Sequence, residues 1–268
     1  MLDATTGAIL RRIGVPAPPS RLAVDERTGR VFANTGQVLD ARTGALIGHV
    51  APGADVAVDA GSGRLFTVDG ARLLIRDDAT GRLLSTVPIA DAQAVVADTR
   101  HHRAVVGIVP SDDEYFNEDT AIVDTRTGHV VAGATGAHGD VWAVDGRAGR
   151  AIAVSTFTSN ETGSPISADI IDTRAGRVVR HIDLGASLRP DVVIGVDEQH
   201  GNAVVVMSCC APWLRNVAYV IGMRDGRIPR QVVLGGGPPA IAVDAATGHV
   251  YVANLRDNTV SVLDTTHL

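Results

Sequence analysis

Short apolar runs separated by polar turns are the most regular feature of this sequence. Runs such as Ala203–Val206 and Val250–Ala253 are apolar at nearly every position, with no strict alternation of apolar and polar residues. Runs of this kind are typical of β-strands that are buried on both faces. No segment shows a convincing helical period. The pattern therefore predicts an all-β protein.

Two turn motifs repeat between these runs. The first reads apolar-Val-Asp-x-x-Thr-Gly-Arg, and its six copies begin at Asp25, Asp59, Asp98, Asp145, Asp197 and Asp244. The second reads apolar-Asp-x-x-Thr-Gly and begins at Asp40, Asp77, Asp124 and Asp172, with a degraded fifth copy at Met223–Gly226. In both motifs Asp accepts hydrogen bonds from turn amides and Gly takes a positive φ, so each predicts a hairpin. The variant His101–His102 is expected to form a solvated turn.

The alternation of the two motifs predicts units of four strands, A to D, repeated along the whole chain. Successive copies of the first motif lie 34 to 52 residues apart, which fits the blades of a β-propeller. We therefore predict one domain, residues 1–268, that forms a closed propeller of about six four-stranded blades. The last blade lacks strand D, and residues 8–13 at the N-terminus are expected to supply it. Closure by that strand would remove exposed sheet edges.

The last repeat resembles a known family. Gly248–Asn254 followed by Asn258–Asp264 is similar to the repeat of the YVTN family of bacterial β-propellers, and Phe32–Asn34 is a weaker copy. The resemblance implies a propeller fold and a bacterial protein that is often secreted or periplasmic. It implies no single activity.

Composition excludes several functions. All 24 positively charged side chains are Arg, so no lysine can form a Schiff base or act as a general base. The net charge of −6 argues against a nucleic-acid partner, and no apolar run is long enough to predict a membrane span. No signal peptide is recognisable at the start, so the expected location is secreted or periplasmic if one was removed and cytoplasmic otherwise. We expect a monomer.

The strand order predicts where a ligand would bind. In a propeller the B–C and D–A connections lie on one face, which we call the near face, while the A–B and C–D turns lie on the far face. The B–C connections of units 3, 4 and 5 are long, and the first of them is acidic and contains Tyr115. Arg21 and Asp55 precede the first motif and are expected at the near mouth of the channel. The predicted ligand-binding residues on this face are Asp91, Gln93, His138, Asp140, Trp142, Arg189, Asp191, Trp213 and Tyr115.

The two cysteines of the chain are adjacent, at Cys209 and Cys210, in the long connection of unit 5. Adjacent cysteines can form a strained disulfide ring that is easily reduced. They can also remain two ordinary thiols or, less in keeping with their spacing, belong to a metal or redox site. The sequence leaves these alternatives open.

No catalytic set of residues is evident, so the leading hypothesis is a non-catalytic propeller that binds a small molecule or a protein on the near face. No cofactor is predicted. The alternative is an enzyme at the channel mouth. One version is a metal-assisted lyase or hydrolase, similar to streptogramin-inactivating propellers, with His138 as base and carboxylates holding a divalent cation. The other resembles quinoprotein dehydrogenases in its adjacent cysteines and Asp-x-x-Thr-Gly turns, but this chain lacks the Trp that follows those turns.

Overall fold

The computed structural model describes residues 11–109, 119–135, 137, 139, 141–155, 165–186, 191–208, 215–237 and 239–266. These residues form 23 β-strands and no helix. Accordingly, the described segments include no helix of the length and apolarity that crossing a bilayer requires. The prediction of an all-β protein is confirmed.

The strands form six antiparallel sheets that follow one another along the chain, each a meander of consecutive strands. Sheets 1 to 3 contain β1 (Leu22–Asp25), β2 (Arg30–Ala33), β3 (Gln37–Asp40), β4 (Leu46–His49); β5 (Asp55–Asp59), β6 (Arg64–Val68), β7 (Arg72–Asp77), β8 (Leu83–Pro88); and β9 (Ala92–Asp98), β10 (Arg103–Ile108), β11 (Asp119–Asp124), β12 (Val130–Thr135). Sheets 4 to 6 contain β13 (Val141–Asp145), β14 (Arg150–Ser155), β15 (Pro165–Asp172), β16 (Arg177–Ala186); β17 (Val192–Asp197), β18 (Asn202–Met207), β19 (Val217–Gly222), β20 (Arg230–Val233); and β21 (Pro239–Asp244), β22 (His249–Asn254), β23 (Thr259–Asp264). The predicted number of six blades matches six sheets, of which the last has three described strands.

The turns have the chemistry that the motifs predict. Asp40 Oδ1 accepts the N–H of Thr43 at 2.6 Å and its hydroxyl at 2.8 Å, and the Gly44 N–H donates to Asp40 O at 2.8 Å. His102 takes a φ of 54° where the other turns of this kind have Gly. The expectation that His101 is solvated is wrong, because its Nδ1 lies 2.8 Å from Asp98 Oδ2 and its side chain is largely buried.

The sheets pack face to face through small aliphatic side chains. Buried clusters join sheet 1 to sheet 2, sheet 2 to sheet 3, and so on to sheet 6. Val105, Ala151 and Val204, in the second strands of sheets 3, 4 and 5, are completely buried. Each central strand is therefore covered on both sides, which explains why its sequence is apolar at consecutive positions.

A buried hydrogen bond connects neighbouring sheets on the far face. The A–B turn Asp of one sheet accepts the hydroxyl of a Thr in the C–D turn of the next, from Thr125 to Asp59 at 3.1 Å, from Thr173 to Asp98 at 2.6 Å and from Thr265 to Asp197 at 2.6 Å. All six of these residues are buried. We call this contact the inter-sheet Asp–Thr bond. These three Asp residues therefore stabilise the packing of sheets as well as their own turns.

The six sheets surround a common channel. The first strands of successive sheets pack side by side from β1 to β21. All six first strands line one cavity. Between sheet 6 and sheet 1 the described residues do not pack in this way: Leu22 and Val24 are more than half exposed, as are Val260 and Val262. Residues 8–13 are predicted to complete sheet 6. Residues 8–10 lie outside the described residues and residues 11–13 form no strand, so closure by the N-terminus remains a prediction.

Candidate functional site in the central channel

The near mouth of the channel is a cavity of about 420 Å³. Most of the side chains that line it are apolar, but its exposed surface is about equally polar and apolar. The wall includes Val56, Val95, Val141, Val193 and Ile241, which come from five different sheets. A cavity of this size has the dimensions of a small-molecule site.

Arg21 and Asp55 supply the charged groups of this cavity. The Arg21 Nε lies 3.8 Å from Asp55 Oδ1, and the Arg21 side chain is 54% exposed. Asp55 is buried, and its two carboxylate oxygens accept the N–H groups of Val95 at 3.0 Å and Val56 at 2.8 Å. Asp55 therefore joins β5 to β9, while the guanidinium of Arg21 remains accessible to a ligand.

Burial raises the pKa of Asp55 above its ordinary value, and the hydrogen bonds from Val95 and Val56 and the charge of Arg21 only partly oppose this rise. An acid whose pKa is higher in the folded state than in the unfolded state stabilises the fold when protonated. That contribution is fully present below the unfolded pKa and is lost as pH rises through the folded pKa.

Replacing Asp55 by Asn should therefore have an effect on stability that depends on pH. The amide oxygen of Asn can accept a backbone hydrogen bond without carrying a charge. We expect Asp55→Asn to become more favourable, relative to the parent protein, as pH rises from about 4 to about 7. Urea unfolding of both proteins across this range measures the difference. A difference that is constant or changes in the opposite direction would show that Asp55 does not have a raised pKa.

Trp142 forms an aromatic part of the cavity wall. Its indole N–H donates to Gly139 O at 2.7 Å, and its ring packs against Gly107 of sheet 3. A Cβ at position 107 would lie 2.6 Å from the indole nitrogen, so only Gly fits beside the ring. The indole is thereby held in place by two different sheets.

The other predicted ligand-binding residues are only partly described. Asp91, with a φ of 56°, accepts the N–H of Val109 through its carbonyl at 3.0 Å, and the carbonyl of Asp191 accepts the N–H of Ser208 at 2.9 Å. Gln93 is exposed. None of these three lines the cavity, whereas Trp142 does. His138, Asp140, Arg189, Trp213 and Tyr115 lie outside the described residues, as do Cys209 and Cys210.

The sequence placed Arg21 and Asp55 at the mouth but did not single them out as ligand-binding residues. The signal that could have identified them is their shared position in the repeat, since each lies directly before the first motif of its unit. Across the ranges that the structure describes, no three His, Cys, Asp or Glu side chains are grouped so that they could hold a metal ion.

Comparison with known proteins identifies the class. No family model matches this chain, and no curated protein matches it. Solved structures do: hydrazine synthase of Kuenenia stuttgartiensis is 19% identical over 96% of this chain and 80% of that chain, with a TM-score of 0.69. The WD40 repeats of RRP9 are 8% identical over 98% and 86%, with a TM-score of 0.69. The WD40 β-propeller domain of Doa1 is 15% identical over 91% and 78%, with a TM-score of 0.57.

These identities are low, so the likeness concerns the fold alone. Together with the six meander sheets around one channel, it makes this chain a β-propeller repeat protein.

Proposed function

We propose that this chain is a non-catalytic binding propeller that holds a small ligand in the near mouth of its central channel. The observation that carries the proposal is the cavity of about 420 Å³, whose lining side chains are mostly apolar and whose accessible charged side chain is Arg21. A ligand with an apolar body and one carboxylate matches this arrangement, because Arg binds carboxylates through a planar pair of donors.

Several features of the chain support a binding role on this face. The three long connections leave their sheets at the edge where the cavity lies. In sheet 5, for example, Met207 ends the strand before the connection and pairs with Val217, which begins the strand after it. Met207 also pairs with Val192 of the cavity wall. The connections themselves contain Tyr115 and Trp213, which we retain as proposed contacts together with His138, Asp140 and Arg189. Asp91, Gln93 and Asp191 remain proposed contacts for a larger or protein ligand at the rim.

We also propose that the chain belongs to the YVTN family of bacterial propellers. The support is the repeat at Gly248–Asn254, which forms the turn and the second strand of sheet 6, and the following strand β23. The family has members with different activities, so this assignment is compatible with a binding role and does not identify the ligand.

Octanoate is a suitable probe because it has an apolar chain and one carboxylate. We expect it to bind in isothermal titration calorimetry at neutral pH, and we expect octylammonium, which has the same chain with a positive charge, to bind much more weakly. Arg21→Gln should weaken octanoate binding at least tenfold because it removes the accessible cation.

Arg72→Gln is the matched control. Arg72 is 53% exposed and is also paired with a carboxylate, Asp69, at 2.8 Å, but it does not line the cavity. Octanoate binding should be unchanged in this variant. Equal losses in the two variants, or equal binding of octanoate and octylammonium, would refute a carboxylate site at Arg21.

A further inference from the structure

A second cleft opens on the far face, between the turns of sheets 3, 4 and 5, and has a volume of about 670 Å³. We call it the far-face cleft. Its charged lining residues are Arg100, Asp145, Arg147, Glu198, Arg224 and Asp225. It lies at the opposite ends of the strands from the channel mouth, so it is separate from the site proposed above.

The cleft lies where the second turn motif is degraded. In sheets 3, 4 and 6 the residue after the first Asp of the C–D turn is Thr, which makes the inter-sheet Asp–Thr bond. In sheet 5 the corresponding residue is Met223, which has no hydroxyl. Asp145 of sheet 4 therefore receives the N–H of Ala148 on Oδ1 at 2.9 Å, while its buried Oδ2 has no hydrogen-bond partner among the described residues.

An unpartnered carboxylate oxygen is costly in a buried position. Burial raises the pKa of Asp145, and the hydrogen bonds from Ala148 and Arg147 oppose this rise only in part. Position 145 is Asp although sheet 5 has Met223, and not a hydroxyl donor, at the facing position. Asp145 is completely buried, so a ligand hydroxyl or a bridging water would restore the missing bond after a small movement of the turn that covers it.

Three arginines provide the second, independent observation. Within the described part of the chain, the guanidinium groups of Arg100, Arg147 and Arg224 form no ion pair. Of the nearby carboxylates, Asp225 is paired with Arg227 at 3.3 Å, while Glu198 accepts the backbone N–H of Gly146 at 3.2 Å and keeps its negative charge. The cleft therefore contains three exposed cations that are not neutralised by direct contact.

We propose that the far-face cleft binds a small sugar phosphate, with the phosphate held by Arg147, Arg224 and Arg100 and a sugar hydroxyl donating to Asp145. Arginine is the residue best suited to phosphate because its donors match the phosphate oxygens in pairs. The buried oxygen of Asp145 favours a ligand that has a sugar hydroxyl to donate. Inorganic phosphate at neutral pH offers the arginines the same kind of anion but has no sugar hydroxyl. The volume of the cleft is in the usual range for small-molecule sites.

Titration calorimetry with glucose 6-phosphate, glucose and inorganic phosphate tests this proposal. We expect glucose 6-phosphate to bind at least tenfold more tightly than either of the other two, and more weakly as salt is added. Arg147→Ala and Arg224→Ala should each weaken its binding at least tenfold. Both side chains are exposed, so these variants should fold normally.

The chain offers a matched control for Arg224. Arg126 occupies the corresponding position in the C–D turn of sheet 3, is exposed and lies outside the cleft, so Arg126→Ala should bind glucose 6-phosphate as the parent does. Met223→Thr should restore the inter-sheet Asp–Thr bond and reduce binding of glucose 6-phosphate to the level of inorganic phosphate. Absence of binding at millimolar glucose 6-phosphate, or equal losses in the Arg126 and Arg224 variants, would overturn the proposal.

Discussion

Replacing Asp197 by Ala is expected to lower the free energy of unfolding by about 3 kcal/mol or more, which is a large part of the stability of an ordinary domain. Asp197 is completely buried and accepts the hydroxyl of Thr265 at 2.6 Å, so it joins sheet 5 to sheet 6. It also accepts the N–H of Gln199 at 3.1 Å, and His200 Nδ1 lies 2.7 Å from it. Its removal would break the inter-sheet Asp–Thr bond, leaving the buried Thr265 hydroxyl only Gly248 O at 2.8 Å, and would take away the acceptor shared by the Gln199 and His200 groups of the turn.

Asp244 is the matched control for this prediction. It occupies the same position in the same turn motif, where it accepts the hydroxyl of Thr247 at 2.8 Å and the N–H of Ala246 at 3.1 Å. It is exposed and makes no inter-sheet Asp–Thr bond. Asp244→Ala should therefore cost only a small fraction of what Asp197→Ala costs. Urea unfolding followed by circular dichroism measures both values, and equal losses would mean that the Asp residues act only within their own turns.

Replacing Gly176 by Ala is expected to destabilise the fold by about 3 kcal/mol, because two separate costs add. Gly176 has a φ of 63°, which residues with a Cβ rarely adopt. An added Cβ would also lie 2.1 Å from the Cβ of Ala132 in sheet 3, so sheets 3 and 4 would have to separate. The interface between these sheets contains the inter-sheet Asp–Thr bond from Thr173 to Asp98.

The variant Gly201→Ala measures the backbone cost without the packing cost. Gly201 has a φ of 72° and closes the same kind of turn, with its N–H donating to Asp197 O at 2.8 Å, but an added Cβ would meet nothing within 4 Å. Gly201→Ala should therefore show only the backbone cost of about 1 kcal/mol. The same unfolding measurement distinguishes the two variants. If Gly176→Ala is no worse than Gly201→Ala, the close packing of sheet 4 against sheet 3 is not present in solution.

Local sequence patterns were sufficient to predict the fold class, because each strand and each turn is specified by residues next to one another. The continuous apolar runs predicted double burial, and Asp and Gly at fixed spacing predicted the hairpins. The hydroxyl of Thr125 that bonds to Asp59 could not be predicted in the same way, because the two residues are 66 positions apart. A comparison of the two motifs side by side would have shown Thr after Asp in sheets 3, 4 and 6 and Met in sheet 5.

The candidate site was harder to predict from the sequence. Trp142 lines the channel, while no pattern in the sequence favours Arg21 and Asp55 over other polar residues at the mouth. Their importance depends on how deeply Asp55 is buried between β5 and β9, which is a property of the packed sheets. The far-face cleft arises in the same way, from the loss of one hydroxyl at a contact between two sheets.

The central claim is that the first strands of all six sheets surround one channel. A nitroxide spin label at position 21 tests it directly, in the variant Arg21→Cys with Cys209→Ser and Cys210→Ser. We expect the label to broaden the backbone amide resonances of Val56, Val95, Val141, Val192 and Ile241, which lie at the cavity, and to spare the outer strands of sheets 3 to 5. Broadening confined to sheets 1 and 2 would contradict the arrangement around one channel.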